Sequence, residues 1–161
     1  MKASDVMILL DDFLRPTDSV ITAISFLLNA KRDETQQGVQ VAPVLDDRDR
    51  LIGLLTISDV FKATLPAYLS LLDLGAFTWE GMLMSTAKKL QGMTVNDIMT
   101  KTLHLTQQHA SLMECVDIMN KYHVHHLPIV NEQGKAIGMI YKRDIFERFA
   151  SAILNNKEEN L

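Results

Sequence analysis

The chain has 161 residues, with 16 basic and 20 acidic side chains and a formal net charge of −4, a length for one domain or two small ones that excludes a large multidomain enzyme. Hydrophobic residues make up 47%, enough for a self-supporting core, and no run of Lys or Arg gathers into a patch that would track a phosphate backbone, so no nucleic-acid partner is expected. The lone cysteine, Cys115, excludes an internal disulfide and a cysteine-based zinc site; with no uncharged run near the ~18 residues of a membrane span, the expectation is a cytoplasmic, soluble chain without a membrane partner.

From the N-terminus, a lead-in Asp5-Val6-Met7 precedes Ser19, a candidate N-cap, after which Val20, Ala23, Ile24, Leu27 and Leu28 fall at helical spacing and predict a core-facing stripe. A strand is expected over 39–45, a charged turn over 46–50, a second strand over 51–56 and a helix beyond it. The segment 66–92 carries Tyr68, Leu69, Leu71, Leu72, Phe77, Trp79, Met82, Leu83 and Met84, too apolar for a flexible linker. It is expected to be partly helical and packed. A lead-in then recurs as Asp97-Ile98-Met99, a cap as Ser111, a helix face as Leu112, Cys115, Val116 and Met119, and strands over 124–130 and 136–141 around a turn over 131–134.

These parallels form an internal repeat. One constant offset pairs Pro43 with Pro128, Gly53 with Gly138, Asp59 with Asp144 and Phe61 with Phe146. A slightly longer offset pairs the lead-ins and the caps, which places a short insertion in the first copy at 31–38. The organisation is a first repeat over 1–65, a connecting segment over 66–93 and a second repeat over 94–161 with a C-terminal helix and tail. Neither copy buries its apolar face alone, so the two are expected to pack on each other about a pseudo-twofold axis.

The chemistry concentrates where each second strand enters a helix. There Gly53 leads to Thr56 and Asp59, and Gly138 leads to Tyr141, Arg143 and Asp144. A helix start offers free N–H groups and partial positive charge. A glycine in the strand before it admits a ligand or another backbone at close range. An aspartate in the first turn suits the two hydroxyls of a ribose. Thr56 and Asp59 also have the spacing of a capping box, a purely structural device; Tyr141 lacks a short capping hydroxyl, and Asp144 is nevertheless present. Pairing the second hairpin around its turn places His125 near Ile140, so that His125, His126 and Arg143 converge on one helix start, whereas Gln40 and Val41 supply no cation in the first copy.

The stretches 41–59 and 126–144, each with Pro, two apolar residues and then Gly-x-x-x-x-x-Asp, together with the capped helices and the doubled lead-ins, resemble the CBS domain family, specifically a tandem pair or Bateman module. The resemblance implies an α+β (α/β) fold of two β-α-β-β-α repeats. It also implies a regulatory module that binds an adenosyl ligand, AMP, ADP, ATP or S-adenosylmethionine, in clefts between the copies. By similarity, Asp59 and Asp144 hold ribose hydroxyls, Thr56 contacts ribose or phosphate, and His125, His126 and Arg143 face phosphate, with Tyr141 standing where Ser or Thr is usual.

His123 and His125 alternate on the expected strand without a third metal ligand, so no metal site is expected. His104 and His109 read as surface residues, and Cys115 as an inert buried thiol. No phosphate loop, nucleophile elbow or paired acid and base appears. The expected function is non-catalytic: an adenine-nucleotide sensor that requires no cofactor, forms a homodimer and acts on a separate effector protein. The alternative is a ligand-free interaction module that uses the apolar connecting segment.

Overall fold

The computed structural model describes residues 1–30, 38–65 and 82–158. Residues 31–37 of the insertion expected at 31–38, and residues 66–81 of the connecting segment expected over 66–93, lie outside the described residues. In chain order the elements are a 3₁₀ turn Ala3–Asp5, β1 (Ile8–Leu9), α1 (Val20–Asn29), β2 (Val41–Leu45), β3 (Leu51–Thr56), α2 (Ile57–Thr64), α3 (Met82–Leu90), α4 (Val95–Ile98), β4 (Thr106–Gln107), α5 (Leu112–Lys121), β5 (His126–Val130), β6 (Ala136–Tyr141) and α6 (Lys142–Glu158).

The chain divides into two compact units, one of Asp12–Leu103 and one of Met1–Asp11 with His104–Leu161. This division cuts across the sequence repeats. Each unit is built around one repeat's hairpin and is completed by the other repeat's lead-in.

In the unit Asp12–Leu103, the Ser19 hydroxyl accepts from the Thr22 N–H at 3.0 Å and starts α1. The helix buries Val20, Ala23 and Leu27. Leu28, expected on that stripe, is 67% exposed, because the core meets the helix on the narrower line of positions three and four apart, with Phe26 packed beside it. β2 and β3 pair antiparallel with Val41 opposite Thr56. Asp46 closes their turn: its N–H donates to the Arg50 carbonyl at 2.9 Å, and its Oδ1 accepts from the N–H groups of Arg48 and Arg50 at 2.9 and 3.0 Å. The Arg50 backbone bond, reinforced by the Arg50 side chain, holds the Asp46 carboxyl down to about 2. Leu14 bridges to Val44 in parallel and Thr100 to Leu54 antiparallel. The core gathers Leu14, Ala23, Leu27, Ala42, Val44, Leu55, Val95 and Met99.

The other unit repeats the plan in a four-stranded sheet, in the order β1-β6-β5-β4, β4 pairing parallel to β5 and the others antiparallel. The expected register of its hairpin is corrected: Leu127 opposes Ile140, and His126 opposes Tyr141. The turn is one residue longer than expected, since the Asn131 N–H donates to the Lys135 carbonyl at 2.9 Å, and a bulge between Ile129 and Val130 adds a further step. β5 also starts later than expected. His123 takes φ 53°, and the Val124 N–H returns to the Met119 carbonyl at 3.0 Å, so these residues close α5. The core includes Ala3, Val6, Leu112, Cys115, Met119, Leu127, Ile129 and Ile140. Cys115 is fully buried, and burial pushes its thiol up.

The two strand glycines explain how each lead-in docks. A Cβ on Gly53 would collide with the Met99 side chain, and a Cβ on Gly138 would stand 2.8 Å from the Ile8 carbonyl oxygen and 3.0 Å from the Met7 sulfur. The close neighbour of each is the exchanged lead-in: at Gly138 it is backbone, one of the two uses expected for a strand glycine, and at Gly53 it is the Met99 side chain.

Candidate functional site

In the first repeat, β3 ends at Thr56, which is the N-cap of α2. The Asp59 N–H donates to Thr56 Oγ1 at 3.1 Å, and Asp59 Oδ2 accepts from the Thr56 N–H at 2.8 Å and from its hydroxyl at 2.7 Å. The capping box is therefore formed. Asp59 Oδ1 accepts from the Thr100 hydroxyl at 3.0 Å, and the residue is 6% exposed. A buried carboxylate with donors on both oxygens is held in one orientation.

Asp59 also lines a cavity of about 350 Å³. Its wall comes from α2 (Lys62, Ala63), the end of α3 (Lys89) and the lead-in (Asp97, Ile98), all within one unit. Asp97 is committed to its own cap, accepting from the Thr94 N–H at 2.8 Å and the Thr94 hydroxyl at 2.9 Å; the backbone bond lowers its pKa. The volume lies within the ~300–1,000 Å³ of small-molecule pockets.

In the second repeat the Lys142 N–H donates to the His125 carbonyl at 2.9 Å, as the Ile57 N–H does to Gln40 at 3.3 Å in the first. His126 and Tyr141 face each other across the hairpin, their rings edge to face at 5.6 Å, and the His125 ring lies 6.4 Å from that of His126. Asp144 occupies the first turn of α6, half-buried. Arg143 departs from the expected convergence: its Nε donates to Glu147 Oε1 at 2.6 Å in an exposed pair one turn along the same helix. The two histidines and Tyr141 come together, while the guanidinium is tied to α6.

Of the remaining histidines, His104 stacks on Tyr122 at 3.7 Å. Among the described residues no three potential ligands cluster to hold a metal ion, and no helix is long and apolar enough to cross a membrane. Sequence reasoning missed Thr100, Lys62 and Lys89. For Thr100 a signal existed: the lead-in alignment sets it against Ile8, so one copy has a hydroxyl donor where the other has none.

The CBS domain model matches residues 3–65 and 95–151. Among curated proteins, the uncharacterized protein MJ1426 of Methanocaldococcus jannaschii is 24% identical over 155 residues, covering 89% of this chain and 91% of that protein. A CBS domain-containing protein of unknown function from Bacillus anthracis superposes with a TM-score of 0.72 at 18% identity, over 94% of each chain. CBSX2 of Arabidopsis thaliana, solved in complex with AMP, gives a TM-score of 0.69 at 21% identity, over 93% of this chain and 97% of its own. With matches to the family model over both repeats and hairpins that run into aspartate-bearing helices in each, the chain belongs to the CBS domain family as a tandem CBS pair.

Proposed function

We propose that the chain is a non-catalytic regulatory module that binds an adenosyl ligand and passes its occupancy to a separate effector protein. The observation that carries this reading is Asp59. It is a first-turn carboxylate, held rigid by Thr56 and Thr100, and it lines a cavity of nucleotide size. Such a carboxylate accepts two vicinal hydroxyls, which is the recognition a ribose requires. The AMP bound by CBSX2 supports the same ligand class. Asp144, with Tyr141, His125 and His126 close by, forms a second, differently charged candidate. The mechanism is population shift: a ligand that binds one arrangement of the chain better than another changes their proportions, and the effector reads the change.

A homodimer suits the exposed apolar face of α6, where Phe146 and Ile153 are 63% and 60% exposed. The buried thiol of Cys115 suits a reducing, cytoplasmic setting. One observation favours the alternative, a ligand-free interaction module: both oxygens of Asp59 are already engaged, Oδ2 by Thr56 in a capping box and Oδ1 by the Thr100 hydroxyl, an arrangement that a purely structural anchor also explains.

A thermal-shift series with AMP, ADP, ATP and S-adenosylmethionine separates the two. A ligand at 100 times its Kd stabilises by about 2.7 kcal/mol, a rise of roughly 5–10 °C at this size. A transition unmoved by all four supports the interaction module.

A further inference from the structure

We infer that the cavity beside Asp59 is an anion pocket, in which Lys62 and Lys89 select phosphorylated adenosyl ligands over adenosine and over S-adenosylmethionine. This rests on the reading that an adenosyl ligand is held at Asp59. Four charged side chains line the cavity: Asp59, Asp97, Lys62 and Lys89. The two carboxylates are engaged in capping bonds, Asp59 with Thr56 and Thr100 and Asp97 with Thr94. Each also sits in the first turn of a helix, where the N–H groups and the dipole offset its charge.

The lysines are differently placed. Both are exposed, and among the described residues neither enters an ion pair. Lys62 lies one helical turn beyond Asp59 on the same face of α2, so a ligand whose ribose rests on Asp59 has its next group within reach of that ammonium. Lys89 comes from the last turn of α3 on another wall. Each ammonium brings three donors and no acceptor, and a phosphate supplies the acceptors. The methionyl group of S-adenosylmethionine, with a sulfonium and an ammonium beside a single carboxylate, would instead bring a net positive charge towards Lys62 and Lys89, with the sulfonium nearest the ribose. The apolar part of the wall, Ala63, Leu65, Met93 and Ile98, suits a base and not a second charge.

The test is calorimetric titration of the full chain with adenosine, AMP, ATP and S-adenosylmethionine at low and at physiological salt. AMP is expected to bind about tenfold or more tightly than adenosine, with the gap narrowing as salt screens the lysines and S-adenosylmethionine weakest. In the Lys62→Gln/Lys89→Gln double variant, whose substitutions are both at exposed positions, AMP affinity is expected to fall to that of adenosine. A thermal transition matched to wild type verifies that the variant is folded. Equal affinity for adenosine and AMP, tighter binding of S-adenosylmethionine, or a variant that keeps the full AMP preference overturns the selectivity while leaving the adenosyl reading in place. No binding by any of the four overturns the adenosyl reading itself.

Discussion

Gly138 lies directly against the backbone of Ile8: a Cβ at Gly138 would come within 2.8 Å of the Ile8 carbonyl oxygen. Ile8 belongs to the first repeat's lead-in and Gly138 to the second repeat's hairpin, so this one contact records the exchange of lead-ins. Gly138→Ala is expected to destabilise by about 1–3 kcal/mol, the cost of overpacking a site that cannot yield. Gly53→Ala is expected to cost less, because its obstacle is the flexible Met99 side chain. Urea denaturation of the two variants orders them; a larger loss at Gly53 contradicts this packing.

Thr100→Val removes the hydroxyl that, among the described residues, reaches Asp59 Oδ1 from outside the capping box. Leaving that buried oxygen without its donor is expected to cost about 1–3 kcal/mol, and Thr100→Ser should restore most of it. Thermal denaturation reads both variants, and a Val variant as stable as wild type contradicts the bond.

Acid should destabilise the fold over a defined range. Asp46 is held down to about 2, chiefly by its backbone bond with Arg50, and Asp5, Asp97 and Glu114 are lowered by their capping bonds to the backbone of Lys2, Thr94 and Ser111. The unfolded chain therefore takes up protons at higher pH than the folded one. Stability from these groups is complete above the ordinary carboxyl range of ~4 and is lost as pH falls towards 2. Melting temperature measured from pH 6 to pH 2 should stay level with respect to these groups and then drop below about pH 4, and Asp46→Asn should make the drop shallower. An Asp46→Asn profile parallel to wild type contradicts the assignment to Asp46.

For the proposed homodimer, Phe146→Glu should raise the monomer fraction in sedimentation equilibrium while leaving the helical circular dichroism unchanged, since Phe146 is 63% exposed. A wild-type chain that sediments as a monomer at all concentrations removes the dimer.

Much of this architecture was legible in the sequence because its determinants are local. Ser19 and Ser111 cap the expected helices, and the second strands begin and end where the alternation ends. The failures have local causes as well: Asn131 lengthened its turn and moved the register, and Leu28 fell outside a stripe that only the core's position narrows. The lead-in exchange was illegible for a different reason. Asp5-Val6-Met7 and Asp97-Ile98-Met99 are near-copies, and an alignment of like with like does not say whose hairpin each completes. Thr100 and Lys89 meet Asp59 or its cavity from other elements through tertiary packing, whereas Lys62 lies one turn along the same helix and reads in sequence as an ordinary exposed lysine.

The most direct measurement is a crystal structure of the full chain grown with saturating AMP. The account predicts nucleotide density in which ribose hydroxyls lie within about 3.2 Å of the Asp59 carboxylate, with the phosphate towards Lys62. A cavity empty at saturation, with Asp59 still bonded only to Thr56 and Thr100, would contradict it.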